Sequence, residues 1–314
     1  MSKRKPYSKL LSVGDKLINR AGKTFTVLEY IDAKNVRVRF DESGYEDFYR
    51  SGSVVRGRIE DRSHYVTAGN KFTIKDGYVA TVVSTSGQVN ALVELDDEFL
   101  TRLVVQIKNL RSGSIRNPNK RLYSGVGYIG QGTHKTSYEG EMCKYFVVWS
   151  AMLERCYTKT ERYKAYNDCS VAEVWHCFQN FAEWAKNQNY QDGWHLDKDI
   201  IVKRNREYGP HTCAFVPRDV NLVVCTGRSN RGEYPLGVHL EKKSGKYVAQ
   251  CSVKTESGRA TRKYLGRFNT AAEAFLCYKN FKELQIKAVA NKYKSLIDDR
   301  IYRALLSWEV EEND

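Results

Sequence analysis

No cysteine occurs before Cys143, and none of the eight, at 143, 156, 169, 177, 213, 225, 251 and 277, sits in a CxxC pair. The intervals spell neither a zinc ribbon nor a zinc finger. Reduced, mostly buried thiols are expected, with a zinc site drawn from Cys169, His176, Cys177 or Cys213 as the alternative. No apolar run approaches the ~20 residues that span a bilayer. The opening "MSKRKPYSKLLSVGDK" has basic residues but no apolar stretch behind them, unlike a signal peptide. Together these absences predict no membrane partner and a cytoplasmic location. Acidic residues are also short, with 37 Asp and Glu against 51 Lys and Arg, a net charge of +14. That imbalance calls for an anionic partner, and nucleic acid is the usual one.

At 314 residues, 41% of them hydrophobic, the chain has material for two to four units with real cores. The first 118 residues read as short strands broken by glycines. "KTFTVLEYI", "NVRVRF", "GYVATVVS" and "NALVEL" are rich in β-branched and aromatic residues. They are also duplicated. "VGDKLINRAGKTFTVLEY" is echoed by "AGNKFTIKDGYVATVVS", and Gly14 and Gly57 by Gly69 and Gly113, at a spacing of about 55 residues. Two small SH3-like β-barrels, at 1–62 and 63–118, are the natural product. A glycine-rich connector at 119–143 follows, read as a flexible linker whose Lys120 and Arg121 could track a phosphate backbone.

From 144 the period becomes helical. "KYFVVWSAMLERCY" puts Phe146, Trp149 and Leu153 on one face, and "SVAEVWHCFQNFAEWAKNQ" continues the pattern. Ser170 with Glu173 predicts a capping box at the start of that second helix. Beyond it "DGWHLDKDIIVKRNREYGPHTCAFVPRDVNLVV" reads as strand, loop, strand and helix.

The most informative stretch is "SGKYVAQCSVKTESGRATRKYLGRF", which alternates apolar with polar or cationic residues. Three strands are expected, "LGVHLEK", "KYVAQCSV" and "TRKYLGRF", followed by an amphipathic helix from Thr270, whose capping box uses Glu273. One helix buries one sheet face and leaves the other free. Between Tyr234 and Phe268 there are eight Lys or Arg and two acids, a bias that fits phosphates and a major groove.

"YPLGVHLEKKSGKYVAQCSV", "LGRFNTAAEA" and Ala290-Asn291 resemble the AP2 DNA-binding domain over about 58 residues. In that family the exposed sheet face reads the major groove of double-stranded DNA. The resemblance carries this role to Gly237, His239, Glu241, Gln250, Ser252, Arg262 and Tyr264, with Lys246 and Lys263 in the same basic set. Arg262 is the leading candidate, because a guanidinium suits guanine or phosphate.

The segment before it, through "LDKDI", "YGPHTCAFVP" and Asn221, resembles the HNH-like, homing-endonuclease-type proteins of bacteriophages, which commonly carry an AP2-like unit. The resemblance implies a ββα-metal fold, DNA hydrolysis with a divalent ion such as Mg²⁺, and an infected bacterial cell as the setting. The chemistry needs a base, an ion on the scissile phosphate and ligands for that ion. Lys198 aligns with the family's histidine, Thr212 with its middle asparagine and Asn221 with its helix ligand, so two of the three depart from the pattern. Asp197, Asp199 and Asn221 are the candidate metal ligands and His195 the substitute base. Lys198 could meet phosphate directly. Two readings stay open, a metal-dependent endonuclease and a non-cleaving DNA-binding regulator or host-factor inhibitor. A host protein is a further candidate partner for the barrels.

The expected architecture is α+β and multidomain. It comprises the two barrels, the linker, an HNH-like domain at 144–230, an AP2-like sheet plus helix at 231–292, and a C-terminal helix with an acidic tail at 293–314.

Overall fold

The computed structural model describes residues 11–225, 233–254 and 259–312. The chain is mixed α+β, with several small, mostly antiparallel sheets, and divides into compact units at Asn117/Pro118.

The first unit holds two copies of one plan. Strands β1 (Lys16–Ile18), β2 (Thr24–Tyr30), β3 (Val36–Phe40) and β4 (Glu46–Tyr49) form a meander that ends in the one-turn helix α1 (Ser51–Val55). Strands β5 (Lys71–Thr73), β6 (Val79–Ser86), β7 (Asn90–Leu95), β8 (Arg102–Gln106) and helix α2 (Ile107–Arg111) repeat it. Alternation drives each sheet: in β3, Val36, Val38 and Phe40 are buried while Arg37 and Arg39 face out. The duplication extends to detail. The β2–β3 register slips after Val27 and the β6–β7 register after Val82, equivalent positions. Gly14 and Gly69, both at positive φ, each donate their N–H to that residue's carbonyl at 2.8 Å.

The expected barrels do not close. Strand order is linear in both sheets, and the edge strands β1 and β5 are three residues long, too short to carry a second ladder. In each copy one backbone hydrogen bond spans the gap instead, from Arg20 N–H to Gly57 C=O at 2.9 Å and from Lys75 N–H to Ile115 C=O at 3.0 Å.

In the second unit the connector is not a loose linker. It carries the short hairpin of β9 (Ser137–Tyr138) and β10 (Glu141–Met142), and its Tyr128 forms a parallel bridge to Cys177. Tyr123, Val126 and Ile129 pack against the core of α3 (Lys144–Tyr157) and its neighbours. A Cβ on Gly127 would lie 2.3 Å from Leu153 Cδ1, so only glycine permits that approach.

The same bridge breaks the second expected helix. Tyr128 N–H donates to His176 C=O and Phe178 N–H to Tyr128 C=O, both at 2.9 Å, so the helical ladder cannot run through 176–178. Residues 170–171 form strand β11 (Ser170–Val171), a short 3₁₀ turn follows, and α4 (Phe178–Lys186) starts seven residues later than the Ser170–Glu173 capping box predicts. That box does not form, because Ser170 pairs with Glu207 in the parallel β11–β13 ladder, where β13 is Glu207–Tyr208.

Strands β12 (His195–Asp197) and β14 (Ala214–Val216) pair antiparallel, and α5 (Arg218–Val224) follows directly. Strand β14 is buried on both faces. Phe215 joins the α3–α4 core, whereas Ala214 and Val216 join the core of the C-terminal sheet. That sheet is β15 (Val238–Glu241), β16 (Lys246–Lys254) and β17 (Ala260–Phe268), covered by α6 (Ala271–Tyr293) and then α7 (Asp299–Leu306). The Thr270–Glu273 capping box forms as expected. The segment resembling HNH-like units thus has a core of its own around α3 and α4 and, through Ile200, Ala214, Val216, Val220 and Val224, also shares the core of the AP2-like sheet. Glu311 of the acidic tail folds back on Arg204 at 2.6 Å and Lys203 at 3.1 Å.

Candidate functional site

Register decides what the C-terminal sheet shows to solvent. Ala249 and Cys251 of β16 are buried toward α6, where the Cys251 thiol donates to Gln285 Oε1 at 3.2 Å. The pleat therefore turns Val248, Gln250 and Ser252 the other way. Their cross-strand partners share that face: His239 and Arg267 beside Val248, which is itself buried, Tyr264 beside Gln250, Arg262 beside Ser252. Glu241 and Lys246 form the outermost pair of the same face. Tyr264 is 61% exposed, and His239, Arg262 and Arg267 are exposed as well.

Two of the candidate DNA-binding residues, Lys263 and Gly237, lie elsewhere. Lys263 pairs with Cys251 on the helix side, its ammonium 4.9 Å from the Phe281 ring centre of α6. Gly237 packs under α6, where an added Cβ would fall 2.1 Å from Tyr278 Cδ2. It packs closely there at a positive φ, where glycine is favoured. Arg267, missed in the sequence, joins the open face and meets Glu241 at 2.8 Å. The signal for it was weak. The bulge that sets its side comes from one extra residue, Leu265, in β17.

The ββα segment builds a second site. His195, Asp197, Lys198, Asp199 and Asn221 all line one cavity of about 340 Å³, with Arg155, Tyr166, Trp194 and Tyr208. Five residues chosen from the sequence thus meet in space. Asp197 is buried, and its Oδ1 accepts the N–H groups of Asp199 at 2.9 Å and Ile200 at 2.8 Å, which shapes the turn out of β12. Burial pushes its carboxyl up to about 6, against those hydrogen bonds. Lys198 is 6% exposed and donates to both oxygens of Asp199 at 2.8 Å and to Asn205 C=O at 2.6 Å. His195 Nδ1 accepts from Asn221 Nδ2 at 2.9 Å. Burial, then Arg218 and Arg155, lower the His195 pKa and keep its ring neutral near pH 7.

Asn205 closes the loop between Lys198 and Glu207. It ties both ends of the loop, donating from Nδ2 to Lys198 C=O at 3.1 Å and Glu207 C=O at 2.6 Å. Thr212 only closes its own turn, on Glu207 and Gly209 carbonyls.

This donor set does not fit a divalent ion. A Mg²⁺ site needs carboxylate oxygens free to converge in octahedral geometry. Both Asp199 oxygens hold the Lys198 ammonium, one Asp197 oxygen holds the turn, and Asn221 turns its amide nitrogen to His195. The internal ammonium supplies the positive charge in this corner. Among the described residues no three His, Cys, Asp or Glu side chains converge on an ion-sized gap, and the suggested zinc ligands are engaged otherwise. The Cys177 thiol meets Ile129 C=O, and His176 Nε2 lies 3.1 Å from the Tyr157 hydroxyl. No family model, curated protein or solved structure matches this chain.

Proposed function

We propose that the chain binds double-stranded DNA through the open face of the β15–β16–β17 sheet. One observation carries the reading: α6 covers one face and leaves Arg262, Arg267, His239, Gln250, Ser252 and Tyr264 together on the other. Arginines supply phosphate and guanine contacts, and the amide, hydroxyl and imidazole groups are of base-edge type. The +14 net charge adds sequence-independent, salt-sensitive affinity. In this reading the protein is a phage-type, AP2-like DNA-binding protein whose HNH-like segment is a supporting module. The duplicated N-terminal units are SH3-like and available to a host protein, and the setting is the cytoplasm of an infected bacterium. The test is a titration of fluorescent duplexes against the full chain at rising ionic strength. A complex that weakens steeply with salt is expected, and no complex at low ionic strength overturns the reading.

A second reading, strand cleavage, is favoured by the convergence of His195, Asp197, Asp199 and Asn221 on one cavity. It requires Asp199 to leave Lys198 before an ion can enter. Supercoiled plasmid incubated with Mg²⁺ or Mn²⁺ decides it. Nicking that is lost in Asp199→Ala supports cleavage, and intact plasmid rejects it.

A further inference from the structure

Arg155 stands in the last turn of α3 and lines the ββα cavity. Its guanidinium carbon lies 5.6 Å from the ring centres of both Tyr166 and Tyr208, so two aromatic rings hold the group. Its Nε is buried with no hydrogen-bond partner, and no carboxylate lies within ion-pair distance among the described residues. The neighbouring cation differs. Lys198 spends its donors on Asp199 and Asn205. A buried N–H left unpaired is costly, and a guanidinium offers five donors in a rigid fork. An orphaned fork facing a cavity of this size is a receptor for a planar or tetrahedral oxyanion.

We propose that Arg155 is an anion-recognition residue, whose fork takes a phosphate group of a nucleic-acid strand inside this cavity with no divalent ion between them. The choice of phosphate over carboxylate rests on the DNA-binding reading above. The site itself is separate from the sheet face and rests on its own geometry. Asp199, held by Lys198, adds no free negative charge to repel the ligand. Two sources share this chemistry, the terminal phosphate of a broken strand and an internal phosphodiester.

The test is a calorimetric titration of the full chain with thymidine 3′,5′-bisphosphate in the presence of a chelator. Binding is expected, weakened roughly tenfold or more in Arg155→Met, which keeps the stem between the tyrosines. Arg155→Lys, which keeps charge but loses the fork, should fall between. Arg262→Ala should bind as wild type, and this separates the cavity from the sheet: failed duplex binding leaves the bisphosphate isotherm intact. Competition by thymidine 5′-monophosphate assigns a terminal phosphate, and competition by a dithymidine monophosphate assigns an internal diester. No binding by the wild-type chain, a requirement for Mg²⁺, or equal affinity in Arg155→Met and Arg155→Lys overturns the proposal.

Discussion

Asn221 Nδ2 lies 2.9 Å from His195 Nδ1, the one side-chain hydrogen bond that joins α5 to β12 among the described residues. An amide nitrogen only donates, so the imidazole accepts at Nδ1 and carries its proton on Nε2. In this state His195 offers a donor to the cavity rather than a base. Asn221→Asp should reverse the arrangement. A carboxylate accepts from Nδ1–H and raises the histidine pKa, whereas Asn221 leaves it lowered by burial and by Arg218 and Arg155. Nitrogen chemical shifts across a pH titration report both tautomer and pKa. A wild-type ring protonated at Nδ1 contradicts the assignment.

On the open sheet face, side decides effect. Arg262→Ala and Arg267→Ala should each weaken duplex binding and reduce the slope of log K against log salt by about 1. Lys263→Met should leave the slope unchanged, because Lys263 packs over Phe281 on the helix side. Glu241→Gln should tighten binding, since Glu241 now neutralises Arg267 at 2.8 Å. Fluorescence anisotropy at several salt concentrations separates the four variants. Equal losses in Arg262→Ala and Lys263→Met would sink the face assignment.

The parts of this chain legible in its sequence are those governed by local pattern. The duplicated meanders follow from alternation and from glycines about 55 residues apart, and the α6 start from Thr270 and Glu273. The convergence of His195, Lys198 and Asn221 followed from a motif read as strand, loop, strand and helix. What was illegible depended on distant partners. A capping signal at Ser170 lost to a parallel ladder with Glu207, and a helix lost to the bridge with Tyr128. Arg155 reads as one more charge on a helix, and only Tyr166 and Tyr208 reveal it as a clasped guanidinium. The Lys198–Asp199 pair was equally hidden, because adjacent residues on a strand point apart and only the turn after β12 brings them together.

The packed connector gives a stability prediction. In Gly127→Ala the new methyl would meet Leu153 Cδ1 at 2.3 Å and Trp149 Cζ2 at 3.0 Å, inside a fully buried core. Overpacking of this kind costs about 1–3 kcal/mol. Gly125→Ala meets nothing within 4 Å and pays only for its positive φ, on the order of 1–2 kcal/mol. The chain's five tryptophans all lie beyond residue 118, so their fluorescence during denaturation reports the second unit. The Gly127→Ala midpoint should fall with altered emission from Trp149, and the Gly125→Ala emission should not change. A neutral Gly127→Ala would restore the flexible-linker reading.

Acid should act on the first unit through Asp61 and Asp97. Both are buried. Burial alone would raise their carboxyls, but hydrogen bonds outweigh it: Lys23 and Ser63 on Asp61, and Thr101 and Asn117 on Asp97. Their folded pKa values therefore lie below the unfolded ones. The stability they contribute is fully present above the unfolded carboxylate range, near pH ~4, and drains away as pH falls through the folded values. Amide protection factors in β2, β3, β6 and β7, taken relative to intrinsic exchange at each pH, should fall below about pH 4 and stay flat near neutrality. Asp97→Asn keeps an acceptor for Thr101 but removes the titrating charge. That variant should be less stable at pH 7 and show a shallower acid response than wild type, and an identical acid profile would mean that Asp97 does not carry it.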